Sequence, residues 1–257
     1  MFELTLIGIG TGNPDHLTQE GVKAIRAADL ILIPRKGTGK DDLATLRQKI
    51  IAQATGDKPP RIAFFDMPER RETGGYLQGV EDWHRRIAQL WQDAIAAAPA
   101  AADTPRNVAL LIWGDPSLYD SSLRIAAQVQ PRPRTRVIPG ITALQALTAA
   151  HAMPLNDIGA PVLVTTGRRL RDEGWPAGVN SVAVMLDGQC SFKALDPEGI
   201  AIWWGAFLGM PEQVLISGTL DRAGARIIET RAKARAEHGW IMDIYLLKKP
   251  AYMAPQS

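Results

Sequence analysis

The sequence predicts an α/β protein of two α/β domains, with a mostly parallel N-terminal sheet and a mixed C-terminal sheet. Two observations predict it. Through the first half of the chain, short aliphatic runs alternate with stretches whose apolar residues recur every three or four positions, the pattern of a parallel sheet with crossover helices. After Met153-Pro154-Leu155 the strands are short and the helices between them become fewer and shorter, which predicts a second, mixed sheet. The expected boundary puts residues 1–138 in the first domain and 139–257 in the second.

The elements follow in order. Leu4-Thr5-Leu6-Ile7 is a strand, broken by Gly8-Ile9-Gly10-Thr11-Gly12-Asn13-Pro14. Alternating glycines let backbone N–H groups come close to a ligand. A dinucleotide fingerprint would need glycine where Asn13 stands. The next strand, Leu30-Ile31-Leu32-Ile33, ends in Pro34-Arg35-Lys36 rather than in the acid that holds ribose hydroxyls. Between them a helix is expected from Asp15 to Asp29 with Thr18 as its cap, and another from about Asp41. Arg61–Phe65 is a strand, 66–76 a charged loop, and a long helix carries Val80, Trp83, Ile87, Leu90 and Ala94. Ala96 to Pro105 reads as a linker.

Val108 to Trp113 is then a run of six apolar residues, ending abruptly in Gly114-Asp115-Pro116 with Tyr119 close behind. Six residues are too few to span a membrane and suit a buried strand. In an open parallel sheet, ligands bind beyond the carboxyl ends of strands, where Asp115 and Tyr119 fall. A short helix after Tyr119, a strand at Arg136–Ile138 and a helix from Thr142 to His151 complete this part. Later strands are expected at Val162–Thr165, Ser181–Met185, Ile200–Trp204, Val214–Gly218 and Trp240–Leu247.

At 257 residues the chain can build one large domain or two small ones, each with a real core, and 46% hydrophobic with 22% charged residues is an ordinary globular composition. A formal charge of +2 points to neither nucleic acid nor an anionic membrane as partner. One cysteine, Cys190, excludes an internal disulfide or a multi-cysteine metal site, and the four histidines show no ligand spacing, so no metal is expected. The start of the chain lacks a signal-like apolar region, and a cytoplasmic protein is expected.

Four stretches in register resemble the tetrapyrrole methylases, the corrin and uroporphyrinogen methyltransferases. They are Gly8–Pro14 running on through His16-Leu17-Thr18, Gly114-Asp115-Pro116 with Tyr119, Ile138-Pro139-Gly140-Ile141-Thr142-Ala143, and Gly205-Ala206 with Ser217-Gly218-Thr219-Leu220. Where the family's first loop commonly has proline and aspartate, this chain has Thr11 and Asn13. The resemblance implies S-adenosylmethionine as cofactor, S-adenosylhomocysteine as product, a cleft between two domains and a homodimer. It implies that Gly114, Asp115, Leu118, Tyr119, Thr142, Ala143, Met185, Gly205 and Ala206 line the cofactor. From their residues alone, Met185 equally suits a core and Gly205 a strand-end turn.

Gly10, Gly12 and Asn13 would border the tetrapyrrole. Arg35, Lys36, Arg70, Arg71, Arg168 and Arg169 are candidate cations for its carboxylates. Further stretches, Gly79–His84, Trp113–Ser121, Thr165–Leu170 and Val184–Gly188, resemble the branch that methylates carbon 1 of precorrin-5 and releases acetate, giving precorrin-6A. The rival expectation is carbon-20 methylation of precorrin-2. A rival from another class is a non-catalytic tetrapyrrole or nucleoside carrier. Methyl transfer from a sulfonium needs mainly alignment. Deacetylation asks for a base and an oxyanion donor, and Asp15, Asp115 and Tyr119 are the candidates.

Overall fold

The computed structural model describes residues 2–35, 42–69, 76–98 and 106–249. The chain forms two compact units, Met1–Thr142 and Ala143–Ser257.

In the first unit the strands are β1 (Glu3–Gly8), β2 (Leu30–Arg35), β3 (Arg61–Asp66), β4 (Asn107–Ile112) and β5 (Arg134–Ile138). All pair in parallel, in the order β3-β2-β4-β1-β5. Their helices are α1 (Gln19–Ala27), α2 (Asp42–Thr55), α3 (Tyr76–Ala97) and α4 (Ser122–Ala126). The strands read as unbroken apolar runs because both faces are covered. Ile7, Ile31 and Leu111 pack with Ile25 of α1 and Ile50 and Ile51 of α2. Leu6, Leu32 and Leu110 pack with Ile87 and Trp91 of α3 and Ile125 of α4. Helix α1 starts later than Asp15, because Asn13 accepts the Asp15 N–H and opens a 3-10 turn over Pro14–His16. Thr18 then caps α1 by accepting from the Gly21 N–H at 3.0 Å.

The second unit contains α5 (Ala143–Ala150), β6 (Val162–Thr166), α6 (Gly167–Glu173), β7 (Ser181–Met185), β8 (Ala201–Ala206), β9 (Val214–Thr219), α7 (Leu220–His238) and β10 (Asp243–Lys248). The sheet is mixed, in the order β6-β7-β10-β8-β9, with β10 antiparallel to both neighbours and β9 antiparallel to β8. Helix α7 corrects the expectation of short helices here, at 19 residues. Its inward stripe is Leu220, Ala223, Ile227, Arg231 and Ala234. The arginine in the middle hides the periodicity. Arg231 is buried because Asp243 of β10 pairs with it at 2.9 Å, while Asp243 also accepts the Trp204 Nε1–H at 2.9 Å. The last strand begins at Asp243 rather than Trp240.

Candidate active site

Three glycines end three neighbouring strands of the first unit, and the backbones meet there. A Cβ on Gly8 would lie 2.5 Å from the Gly140 nitrogen, and one on Gly140 would lie 2.2 Å from the Gly114 oxygen. Only glycine permits that approach. Gly10 and Gly114 form a two-residue bridge, the Gly114 N–H donating to Gly10 at 2.7 Å and the Gly10 N–H to Gly114 at 3.3 Å. The glycine loop after β1 is thus tied to the Gly-Asp-Pro turn after β4.

Asp115 fastens that turn to the next one. One carboxylate oxygen accepts the Ser117 N–H at 2.8 Å and the Ser117 hydroxyl, and the other accepts the Gly140 N–H at 2.8 Å. Burial alone would raise its pKa. The three hydrogen bonds outweigh burial and hold the carboxyl below its ordinary value. The carboxylate expected as a catalytic base is therefore engaged by its own chain, tying the Gly-Asp-Pro turn to Gly140.

The other expected residues of this unit differ in backbone conformation and exposure. Gly114 has φ +66° and open space where a Cβ would stand. Tyr119 has φ +50°, uncommon for a bulky residue, and is 43% exposed. Leu118 and Thr142 are half-buried, Gly10 and Gly12 buried, and Asp15 exposed on its 3-10 turn. The Asn13 side-chain oxygen accepts the Asp15 N–H at 2.9 Å. Beside these, the buried Thr11 hydroxyl has no hydrogen-bond partner. Arg35 is exposed at the end of β2, its guanidinium 3.8 Å from the centre of the Phe64 ring. Lys36, Arg70 and Arg71 lie outside the described residues.

In the second unit β6, β7 and β8 run in one direction, so Thr166, Met185 and Ala206 end at one edge. Met185 is half-buried, and Leu186 beyond it is exposed at φ +54°. Gly205 has a packing reason to be glycine: a Cβ would meet Leu208 at 2.6 Å and Leu147 at 3.0 Å. The Ala206 side chain is in the core, and Ala143 opens α5. Arg168 is exposed on α6, and Arg169 forks onto Glu173 at 2.9 and 3.0 Å.

Asp187 is the buried carboxylate that sequence reasoning missed. It accepts from the Tyr245 hydroxyl at 2.6 Å, the Ser191 N–H at 2.5 Å, the Ser191 hydroxyl at 2.9 Å and the Gln189 N–H at 3.0 Å. Burial pushes its pKa up, and these bonds, Tyr245 foremost, pull it below the ordinary value. A Cβ on Gly167 would lie 2.3 Å from Asp187. The Thr165–Leu170 and Val184–Gly188 stretches are thereby one packed unit. Nothing in the sequence pairs Asp187 with Tyr245, 58 positions away. Among the described residues no cluster of side chains could hold a metal, and no helix is long and apolar enough to cross a membrane.

Comparison with known proteins then decides the family. The family model of the Tetrapyrrole (Corrin/Porphyrin) Methylases matches residues 3–224. The chain belongs to the tetrapyrrole methylases. Among members of this family, the chain is 44% identical to a precorrin-6A synthase [deacetylating] of Sinorhizobium sp, over 98% of this chain and 97% of that one. It is 30% identical to a precorrin-2 C(20)-methyltransferase of Sinorhizobium sp, over 65% of this chain and 69% of that one. The crystal structure of a cobalamin synthesis related protein (CobF) from Corynebacterium diphtheriae is similar with a TM-score of 0.80 and 37% identity, covering 97% of this chain and 99% of that one. For this tetrapyrrole methylase, the predicted fold class, two α/β domains with parallel and mixed sheets, agrees with that neighbour.

Proposed function

We infer that the chain is an S-adenosylmethionine-dependent methyltransferase of cobalamin biosynthesis, methylating precorrin-5 at carbon 1 and releasing acetate to give precorrin-6A. The observation that carries this reading is the 44% identity over 98% of the chain to a precorrin-6A synthase. Carbon-20 methylation of precorrin-2 has weaker support, since that likeness is lower and covers 65% of the chain.

The residues present suit the cofactor. Gly114 offers open space beside its backbone, and the exposed Tyr119 and Leu186 are held in left-handed backbone conformations. Such strain persists only where surroundings enforce it, and it clusters at ligand sites. When bound, S-adenosylmethionine supplies a methyl group already activated on a sulfonium. The protein's share is alignment in a dry site. Gly114, Leu118, Tyr119, Thr142 and Ala143 are proposed to hold the cofactor, with Met185 and the Gly205-Ala206 backbone. Asp115 keeps the Gly114 turn against Gly140. Gly10, Gly12, Asn13, Arg35, Lys36 and Arg168 are proposed on the tetrapyrrole side.

For deacetylation, water adds to the ketone carbon, the carbon–carbon bond breaks, and its electron pair goes to the macrocycle carbon, which gains a proton. With Asp115 engaged, Tyr119 and Asp15 remain the proposed acid/base groups. A cytoplasmic homodimer belongs to the same proposal, with sedimentation as its check. The function is tested by incubating the protein with precorrin-5 and methyl-labelled S-adenosylmethionine. Label in the corrinoid and one acetate per methyl are expected. An unlabelled corrinoid overturns the enzyme reading, and methylation of precorrin-2 without acetate selects carbon 20.

A further inference from the structure

The β2–β4 ladder stops early, and a side chain takes over from it. Pairing runs through Leu32↔Leu110. The Ile112 carbonyl accepts from Ile9 on the β1 side at 2.9 Å, so the Leu111 carbonyl points toward β2. Continuing the register, its donor would be the nitrogen of Pro34, which carries no hydrogen. Arg47 of α2 donates instead, Nε to the Leu111 oxygen at 3.0 Å, and Nη1 to the Leu43 oxygen of its own helix at 3.2 Å.

The guanidinium is thus wedged at the end of two diverging strands. Strand β2 leads into α2 on one face of the sheet, and β4 leads into α4 on the other. Adjacent strands whose connections leave on opposite faces open the crevice in which α/β folds bind ligands. The β1–β4 crevice is bridged by Gly10 and Gly114, whereas in the β2–β4 crevice Pro34 offers Leu111 no backbone donor.

The residue as a whole is half-buried and its charged head is deeply buried. Burial lowers the Arg47 pKa to about 10, with Asp120 opposing the fall, so the group is a cation at neutral pH. Its hydrogen bonds go to two neutral carbonyls. Among the described residues no carboxylate lies within ion-pair distance. A buried cation that, among the described residues, bonds directly to two carbonyls and feels Asp120 only at longer range favours an incoming anion.

We propose that Arg47 receives a carboxylate of the tetrapyrrole in the β2–β4 crevice, acting as a specificity residue for the polycarboxylate substrate. This rests on the tetrapyrrole reading above. It adds a cation absent from the sequence-derived candidates, because Arg47 lies on α2, away from the glycine and Gly-Asp-Pro motifs.

The test uses uroporphyrin III, an available polycarboxylate tetrapyrrole, with binding followed by fluorescence quenching. Arg47→Gln keeps a neutral donor for the Leu111 carbonyl and removes the charge. Uroporphyrin affinity should fall about ten- to a hundredfold, the worth of one charge-assisted hydrogen bond. S-adenosylhomocysteine affinity should stay at the wild-type value. A folded Arg47→Gln protein that binds uroporphyrin like wild type overturns the proposal and returns Arg47 to a purely structural role. Should Arg47→Gln not fold, Arg47→Lys keeps the charge and loses the fork. Weaker uroporphyrin binding by that variant supports the proposal, and unchanged binding overturns it. A wild type that does not bind uroporphyrin also overturns it. S-adenosylhomocysteine binding and methyl transfer in the same preparation then tell whether the functional reading falls too.

Discussion

Replacing Asp115 by asparagine separates a loop fastener from a catalytic base. The carboxylate accepts three donors, two from Ser117 on one oxygen and the Gly140 N–H on the other. Asparagine has one acceptor oxygen, so its amide NH2 must face either Gly140 or Ser117, donor against donor. At least one charge-assisted bond is lost, at about 1.5–3 kcal/mol. At roughly 2–4 °C per kcal/mol, the melting temperature should drop by roughly 3–12 °C at pH 7. The pH dependence gives the sign. The folded pKa lies below the ordinary 3.8, so the charged form's contribution is complete above that value and fades as pH falls through the folded pKa. The gap between wild type and Asp115→Asn should therefore be full at neutral pH and shrink in acid. Scanning fluorimetry from pH 7 downward measures it. Turnover at saturating cofactor should survive in the folded variant. An unchanged melting temperature with abolished turnover would refute the reasoning and restore Asp115 as a catalytic group.

Gly140→Ala should destabilise far more than Gly114→Ala, by thermal melting. The first drives a Cβ to 2.2 Å from a backbone oxygen, and the second meets open space and carries only about 1–2 kcal/mol of left-handed strain. Arg231→Met should cost about 3–5 kcal/mol in urea unfolding, because it strands the buried Asp243 carboxylate. Adding Asp243→Asn should recover part of the loss. S-adenosylhomocysteine at a hundred times its Kd should stabilise the protein by about 2.7 kcal/mol in thermal shift assays, and NAD should not.

The sequence by itself determined the strands, the alternation that makes the first sheet parallel, and the motifs that end its strands. These are local properties. Leu110 and Leu111 declare a two-sided buried strand, and Gly114-Asp115-Pro116 declares its end, whatever lies elsewhere. The motifs could also be aligned with a family, which named the chemistry. Only tertiary structure decided what individual polar side chains do. Asp115 is an acid/base candidate by sequence, and only the fold brings Gly140, 25 positions on, to donate to it. Helix α7 was illegible because Arg231 breaks its apolar stripe, and that arginine is tolerated only through Asp243. Nothing in the sequence singles out Arg47 on α2. Its role follows from the Leu111 carbonyl 64 positions away, left without a strand donor by Pro34. Apolar burial depends on periodicity, which is written locally. The partner of a buried polar group depends on which distant backbone atom lies within about 3 Å, and folding alone supplies that distance.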